Sequence, residues 1–144
     1  MYTPTQISKY VIVPTIAWPT VFLVLVCFAS EIVVICQLHQ GAMSNSVAFI
    51  TNTMLIFAVF TPMHDAAHGS VATSQFSWLN QVVGNLAAVC FPLPYPAFKH
   101  LHLMHHKHTN EALDPDLWAG TGPTLLLPLR WLSIEYKYYA IYLP

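Results

Sequence analysis

Between Val11 and Leu38 the chain carries a single charged side chain, Glu31. A second apolar run of seventeen residues, Val47–Met63, comes after a short polar connection, Gln37–Asn45, which contains His39, Gly41 and Asn45. About 20 helical residues cross the hydrocarbon core of a bilayer. Backbone inside that core must satisfy its own hydrogen bonds, so the two runs predict a transmembrane helical hairpin. Charged residues make up 8% of the 144 and apolar residues 56%, against about 25% and 45–50% in soluble domains. So few charges would not cover the surface of a soluble domain of this size. The expected fold is therefore an all-α integral membrane domain over residues 1–144. A net charge of −1 leaves no basic footprint for nucleic acid. Cys27, Cys36 and Cys90 form no CxxC pair and read as small core or lipid-facing residues.

Two registers fit the first span. Starting at Pro19, which suits the first turn of a helix, twenty residues reach Leu38 and Trp18 falls at the interface. Starting at Val11 places Glu31 at the exit but leaves Pro14 and Pro19 inside. The first register buries Glu31, which is expensive unless it faces a partner helix. The run is too long, and its leader too weakly basic, for a cleaved signal peptide, so a retained anchor is expected.

Two crossings return the chain to its starting side. Lys9, Lys99 and Lys107 fall on that side and the hairpin loop carries no Lys or Arg, so the positive-inside rule places the histidine clusters beyond the hairpin in the cytoplasm. Leu79–Phe98 is apolar but interrupted by Pro92, Pro94 and Pro96, too broken to span, and is expected to lie in the interface or dip in and return. Gly122–Pro144 mixes Leu125, Leu126, Leu127 and Trp131 with Arg130, Glu135 and Lys137, and reads as an interfacial helix leading toward another span.

Five of the eight histidines fall in two clusters, His64-Asp-Ala-Ala-His68 and His102-Leu-Met-His105-His106, each after an apolar stretch. Residues four apart share a helix face, so His64 and His68 can address one ion. His102, His105 and His106, at i, i+3 and i+4, likewise share a face. His100 projects roughly opposite, and His108 lies moderately off the stripe. His39 reads as a solvated loop residue. Neutral imidazole suits zinc, iron, copper and nickel. Five or more imidazoles with no thiolate nearby have the capacity of a two-metal site; the residues themselves admit either iron or zinc. Asp65, Asn110, Asp114 and Asp116 are placed to orient the free ring nitrogens, although Asp114-Pro115-Asp116 is also a good turn former. Lys99 and Lys107 suit a solvated interface or contact with lipid phosphate.

The sequence His64-Asp-Ala-Ala-His68-Gly69 resembles the first histidine box of the membrane fatty acid desaturase superfamily. The stretch Phe98-Lys-His-Leu-His102-Leu-Met-His105-His106-Lys-His-Thr109-Asn110, with Asp114-Pro115-Asp116 after it, resembles its second box. The likeness covers about Val47–Trp118. It implies a cytoplasmic cage of two iron ions under four transmembrane helices, with His64, His68, His102, His105 and His106 as ligands. It also implies dioxygen as co-substrate, a fatty acyl or lipid substrate, and an external electron donor of ferredoxin, rubredoxin or cytochrome type. The expected reaction is insertion of a double bond into an acyl chain. The family's third box, of HxxHH type, has no counterpart after His108, and five ligands do not saturate two irons. An amino-terminal part of a longer or split protein, inactive by itself, is therefore expected. His-Asp-Ala-x-His-Gly is also similar to carotenoid ketolases and hydroxylases of the same superfamily, whereas Thr109-Asn110 favours a desaturase. A non-catalytic metal-binding membrane protein is the reading from another class.

Overall fold

A computed structural model describes residues 14–91 and 93–142, apart from the side chains of residues 135, 141 and 142. Lys9 and Val11, invoked for orientation and for one register of the first span, lie outside the described residues. The described residues are all-helical apart from one isolated β-bridge. The chain divides into two compact units, with the boundary between Phe91 and Pro92.

In the first unit, helix α1 is Trp18–His39 with Pro19 in its first turn, where a missing N–H costs nothing. Pro14 precedes the helix. The register that begins at Pro19 is the one observed, and it carries Glu31 into the middle of the helix. Glu31 is half-buried and falls on the same stripe as the buried Val24, Cys27 and Val34, at spacings of three, four and three residues. That stripe is the packed face of α1, so Glu31 lies on the side of the helix that meets the rest of the first unit.

Helix α2, Asn45–Ala67, starts with Ser44 as N-cap, whose hydroxyl accepts from the Val47 amide at 3.3 Å. It runs through Pro62 and continues past Met63, where the apolar run ends, so the first histidine cluster occupies its last turn. The Thr20 hydroxyl donates to Asp65 Oδ2 at 2.8 Å, tying the start of α1 to the end of α2 and fixing an antiparallel hairpin. Both helices are long and apolar enough to cross a membrane. Their outer faces are bare: Phe22, Phe49 and Phe57 are 69%, 74% and 77% exposed, which in water would be a large apolar patch.

Helix α3, Trp78–Val89, packs on both members of the hairpin through Asn80, Val83, Gly84 and Ala87. Twelve residues are too few to cross a bilayer. The helical path breaks between Val89 and Tyr95, as the prolines require.

The second unit begins with α4, Tyr95–His108, which takes Pro96 into its first turn. Three short helices come next: α5, Leu117–Gly120; α6, Leu127–Leu132; and α7, Ile134–Tyr142. The single interfacial helix expected for this tail is thus replaced by several pieces. Pro123 and Pro128 withhold backbone donors, so Pro128 can only open α6. At the next break the Ser133 hydroxyl donates to Leu129 O at 2.6 Å, competing with helix continuation.

Candidate metal centre

The first cluster owes its geometry to how α2 stops. Gly69, at φ +69°, comes directly after the C-cap His68. The Gly69 amide donates to Ala66 O at 3.1 Å and the Ser70 amide to Asp65 O at 2.9 Å. These two bonds form a Schellman motif, which needs a left-handed residue at the Gly69 position. A side chain there would meet open space, so the demand for glycine is purely conformational. Stopping the helix here leaves His64 and His68 side by side at its end, ring centroids 4.6 Å apart and planes tilted by 57°. His64 Nδ1 lies 3.6 Å from Asp65 Oδ1, while the other carboxylate oxygen is held by Thr20.

The chain leaving this cluster is pinned down. The Ala17 amide donates to Val71 O at 2.7 Å and the Thr73 amide to Thr15 O at 3.0 Å, forming the lone β-bridge. The buried Asn80 side chain accepts from the amides of Val71 and Ala72 and donates to the carbonyls of Ala72 and Ser77, at 2.7 to 3.3 Å. On the other side of His64 sits Phe60, its ring 6.1 Å away. Phe60 also lines an apolar recess of about 290 Å³ with Ile56, Phe57 and Phe91.

In the second unit the cluster on α4 divides in two. His102 and His106 bring their Nε2 atoms to 3.1 Å, with the rings at 84°. Two nitrogens bound at right angles to one ion, each at about 2.1 Å, would stand about 3.0 Å apart. The separation is that of a hydrogen bond between the rings, and it is also short enough for both nitrogens to reach one ion. The Phe98 ring stacks on His102 with centroids 5.3 Å apart and steadies its plane.

His105 turns instead to Asp114, with Nδ1 2.9 Å from Oδ1, and Asp116 Oδ2 is 3.5 Å away. Asp114 is buried, its side chain 2% exposed, and also accepts from the amides of Asn110 and Asp116 at 2.8 Å. Burial pushes the Asp114 carboxyl up, but the His105 ring and the two amides outweigh it and hold the group below the usual aspartate value. A carboxylate that fixes one ring nitrogen leaves the other, Nε2, oriented and more basic, as metal-bound imidazole requires. The turn that delivers Asp114 depends on the two residues after α4. The Thr109 hydroxyl donates to His105 O at 2.7 Å, and Asn110 takes φ +64°, a left-handed conformation asparagine tolerates.

Of the residues singled out in the sequence, His64 joins His68, His102 joins His106, and His105 joins Asp114 and Asp116. His108 Nδ1 is 3.0 Å from Glu111 Oε2, away from the other rings. His100 and His39 are exposed. Thr20, Phe60 and Asn80 were not singled out. Asn80 alone left a trace, as an amide in an apolar helix that must find partners.

A family model described as fatty acid desaturase matches residues 41–143, a stretch that holds both histidine clusters. The chain belongs to the fatty acid desaturase family. This desaturase-family chain is 33% identical over 122 residues to the sn-1 oleoyl-lipid 12-desaturase of Picosynechococcus sp., a match covering 82% of the chain and 33% of that protein. It is 29% identical over 77 residues to the sn-1 oleoyl-lipid 12-desaturase of Anabaena variabilis, covering 54% and 21%. It is 31% identical over 64 residues to the sn-1 acyl-lipid omega-3 desaturase (ferredoxin) of Nostoc sp., covering 44% and 17%. The desaturase-family chain thus spans a third or less of the length of these curated relatives. No solved structure matches it.

Proposed function

We propose that this chain contributes to a membrane-bound di-iron desaturase that inserts a double bond into the acyl chain of a membrane lipid. His64, His68, His102, His105 and His106 would hold the metal, and Asp114 would orient His105. The observation that carries this reading is His105 itself: one ring nitrogen is fixed by a buried, ionised carboxylate, and the other is left for an ion. Imidazole donors without a thiolate fit iron.

When bound, the irons supply the reduction of dioxygen that draws two hydrogens from an unactivated pair of methylenes. The balance is one dioxygen, two electrons and two protons consumed for one C=C bond formed and two waters released. The electrons come from an external one-electron carrier of the ferredoxin class, as the name of the Nostoc relative suggests. The protein's own share is positioning. Phe60 neighbours His64 and also lines the apolar recess, so an acyl chain lying in the recess would approach the ligand end of α2.

In this reading the protein is multi-pass, and both boxes face the cytoplasm. Lys99 and Lys107 flank the second box, while the hairpin loop between α1 and α2 carries no Lys or Arg.

Five imidazoles fall short of what two irons need, so the decisive experiment completes the donor set. Residues 1–144 are fused to the carboxy-terminal part of the Picosynechococcus relative and expressed in a host rich in monounsaturated lipids. A new double bond in acyl lipid is the expected product, lost with His64→Ala. Oxygenated carotenoid would transfer the chain to the ketolase and hydroxylase branch. Tight zinc with no dioxygen consumption would favour a metal-binding protein without turnover.

A further inference from the structure

Within the second unit, two cations share one indole. Arg130 Cζ lies 5.3 Å from the centroid of the Trp118 ring and Lys137 Nζ lies 4.8 Å from it, so the charges are within roughly 10 Å of each other. The arginine is built into its place. Its Nη1 donates to Trp118 O at 3.0 Å and also to Thr121 O. Beside it, Gly122 stands at φ +101°, and a Cβ there would come within 2.8 to 2.9 Å of three guanidinium atoms. The left-handed φ favours glycine here, and the missing Cβ leaves room for the guanidinium beside the backbone. Trp131 Nε1 donates to Ala119 O at 2.9 Å and secures the far side of the same turn.

Among the described residues no acidic side chain pairs with Arg130 or Lys137. Both cations are half-buried, and the Lys137 ammonium is pushed below its usual value, first by burial and then by the charge of Arg130. Two like charges drawn partly out of water beside one another call for an anion. The neighbouring surface says where that anion comes from. Leu125, Leu129, Trp131 and Leu132 are 92%, 63%, 61% and 80% exposed. An apolar skirt with tryptophan at its margin and cations beside it is the composition of an interfacial anchor.

We infer that Arg130 and Lys137, seated on Trp118, bind the phosphate of an anionic membrane lipid at the bilayer surface. The inference rests on the membrane reading and not on the iron chemistry. The site would hold the second unit against the membrane and draw phosphate-bearing headgroups to it.

The test is lipid retention by the full chain, purified in mild detergent with equal phosphatidylglycerol and phosphatidylcholine, and read by native mass spectrometry. The wild type is expected to retain phosphatidylglycerol preferentially. Each cation near an anionic surface is worth roughly fivefold in affinity, so Lys137→Gln should cut retention about fivefold and the Arg130→Gln/Lys137→Gln pair by more than tenfold. Lys99→Gln, with the same loss of charge on another helix, should cut the preference for phosphatidylglycerol less than Lys137→Gln does. Because Arg130 also holds two carbonyls, Lys137→Gln is the deciding variant: it removes no hydrogen bond to the turn. Equal retention of both lipids, or unchanged retention in Lys137→Gln, would overturn the site. Displacement of phosphatidylglycerol by millimolar inorganic phosphate would overturn the lipid assignment in favour of a free anion. Metal content is expected to stay unchanged in Lys137→Gln, which separates failure here from failure of the iron reading.

Discussion

Removing the Asp114 carboxylate should damage both folding and metal binding, by amounts set by its contacts. It accepts three hydrogen bonds, from His105 Nδ1 and from the amides of Asn110 and Asp116, all at 2.8 to 2.9 Å and nearly out of contact with water. Hydrogen bonds to an ionised group contribute about 1.5–3 kcal/mol each, and amides left unmet in a buried turn cost on a similar scale. Asp114→Ala is therefore expected to destabilise the second unit by on the order of 3 kcal/mol. It should also free the His105 ring, and loss of such an orienting carboxylate weakens metal binding by 10–100-fold, or about 1.4–2.8 kcal/mol. Asp114→Asn separates the two effects. Its carbonyl can still accept from His105, but its NH2 faces an amide donor, so stability should fall while metal affinity drops less than in the alanine variant. Asp116→Asn, which alters a half-exposed group 3.5 Å from the ring, should cost under about 1 kcal/mol. The assay pairs anaerobic ferrous titration of the detergent-purified protein with thermal unfolding of the same samples. Wild-type ferrous affinity in Asp114→Ala would refute the role given to this carboxylate, even if the variant were less stable.

Other expectations concern the ligands and their supports. His64→Ala and His105→Ala should each lower iron content measured by elemental analysis; undiminished iron in both would contradict the assignment. Gly69→Ala forces a Cβ into left-handed backbone and should cost about 1–2 kcal/mol in unfolding experiments, with Gly69→Asn milder. A Gly69→Ala protein as stable as the parent would mean that the end of α2 is not set by that residue. Asn80→Leu strands the Val71 and Ala72 amides and should destabilise the first unit by about 2–3 kcal/mol, read as a lower unfolding midpoint. An unchanged midpoint would show that the turn after the first cluster does not depend on this side chain.

Much of the fold was legible because long apolar runs broken by proline leave few choices. Two long runs with a single charge between them favour helices, and Pro19 marks where the first one starts. The prolines at 92, 94 and 96 end one short helix and open another. Glu31 looked costly in isolation; its place on the stripe of Val24, Cys27 and Val34 shows that packing decides its environment, which a single helix cannot reveal. The tail misled because its leucines suggest one amphipathic helix, whereas Pro123, Pro128 and Ser133 divide it. At the candidate site, the i, i+4 spacing put His64 beside His68 and His102 beside His106, as the ring positions show. The turning of His105 toward Asp114 was only half visible, since it depends on the left-handed Asn110 folding the chain back. Thr20 and Asn80 act across 45 residues and around a tight turn respectively, and such contacts leave no periodic signal.

If imidazoles of the two clusters hold a pair of irons together, the two ions must sense each other's spin. Mössbauer spectroscopy of the membrane-extracted, ⁵⁷Fe-loaded protein, completed with the relative's carboxy-terminal part, reads that coupling. Two irons per chain, magnetically coupled, are expected, with the coupling lost in both His64→Ala and His106→Ala. Two uncoupled iron signals, or coupling that survives either substitution, would contradict a shared centre.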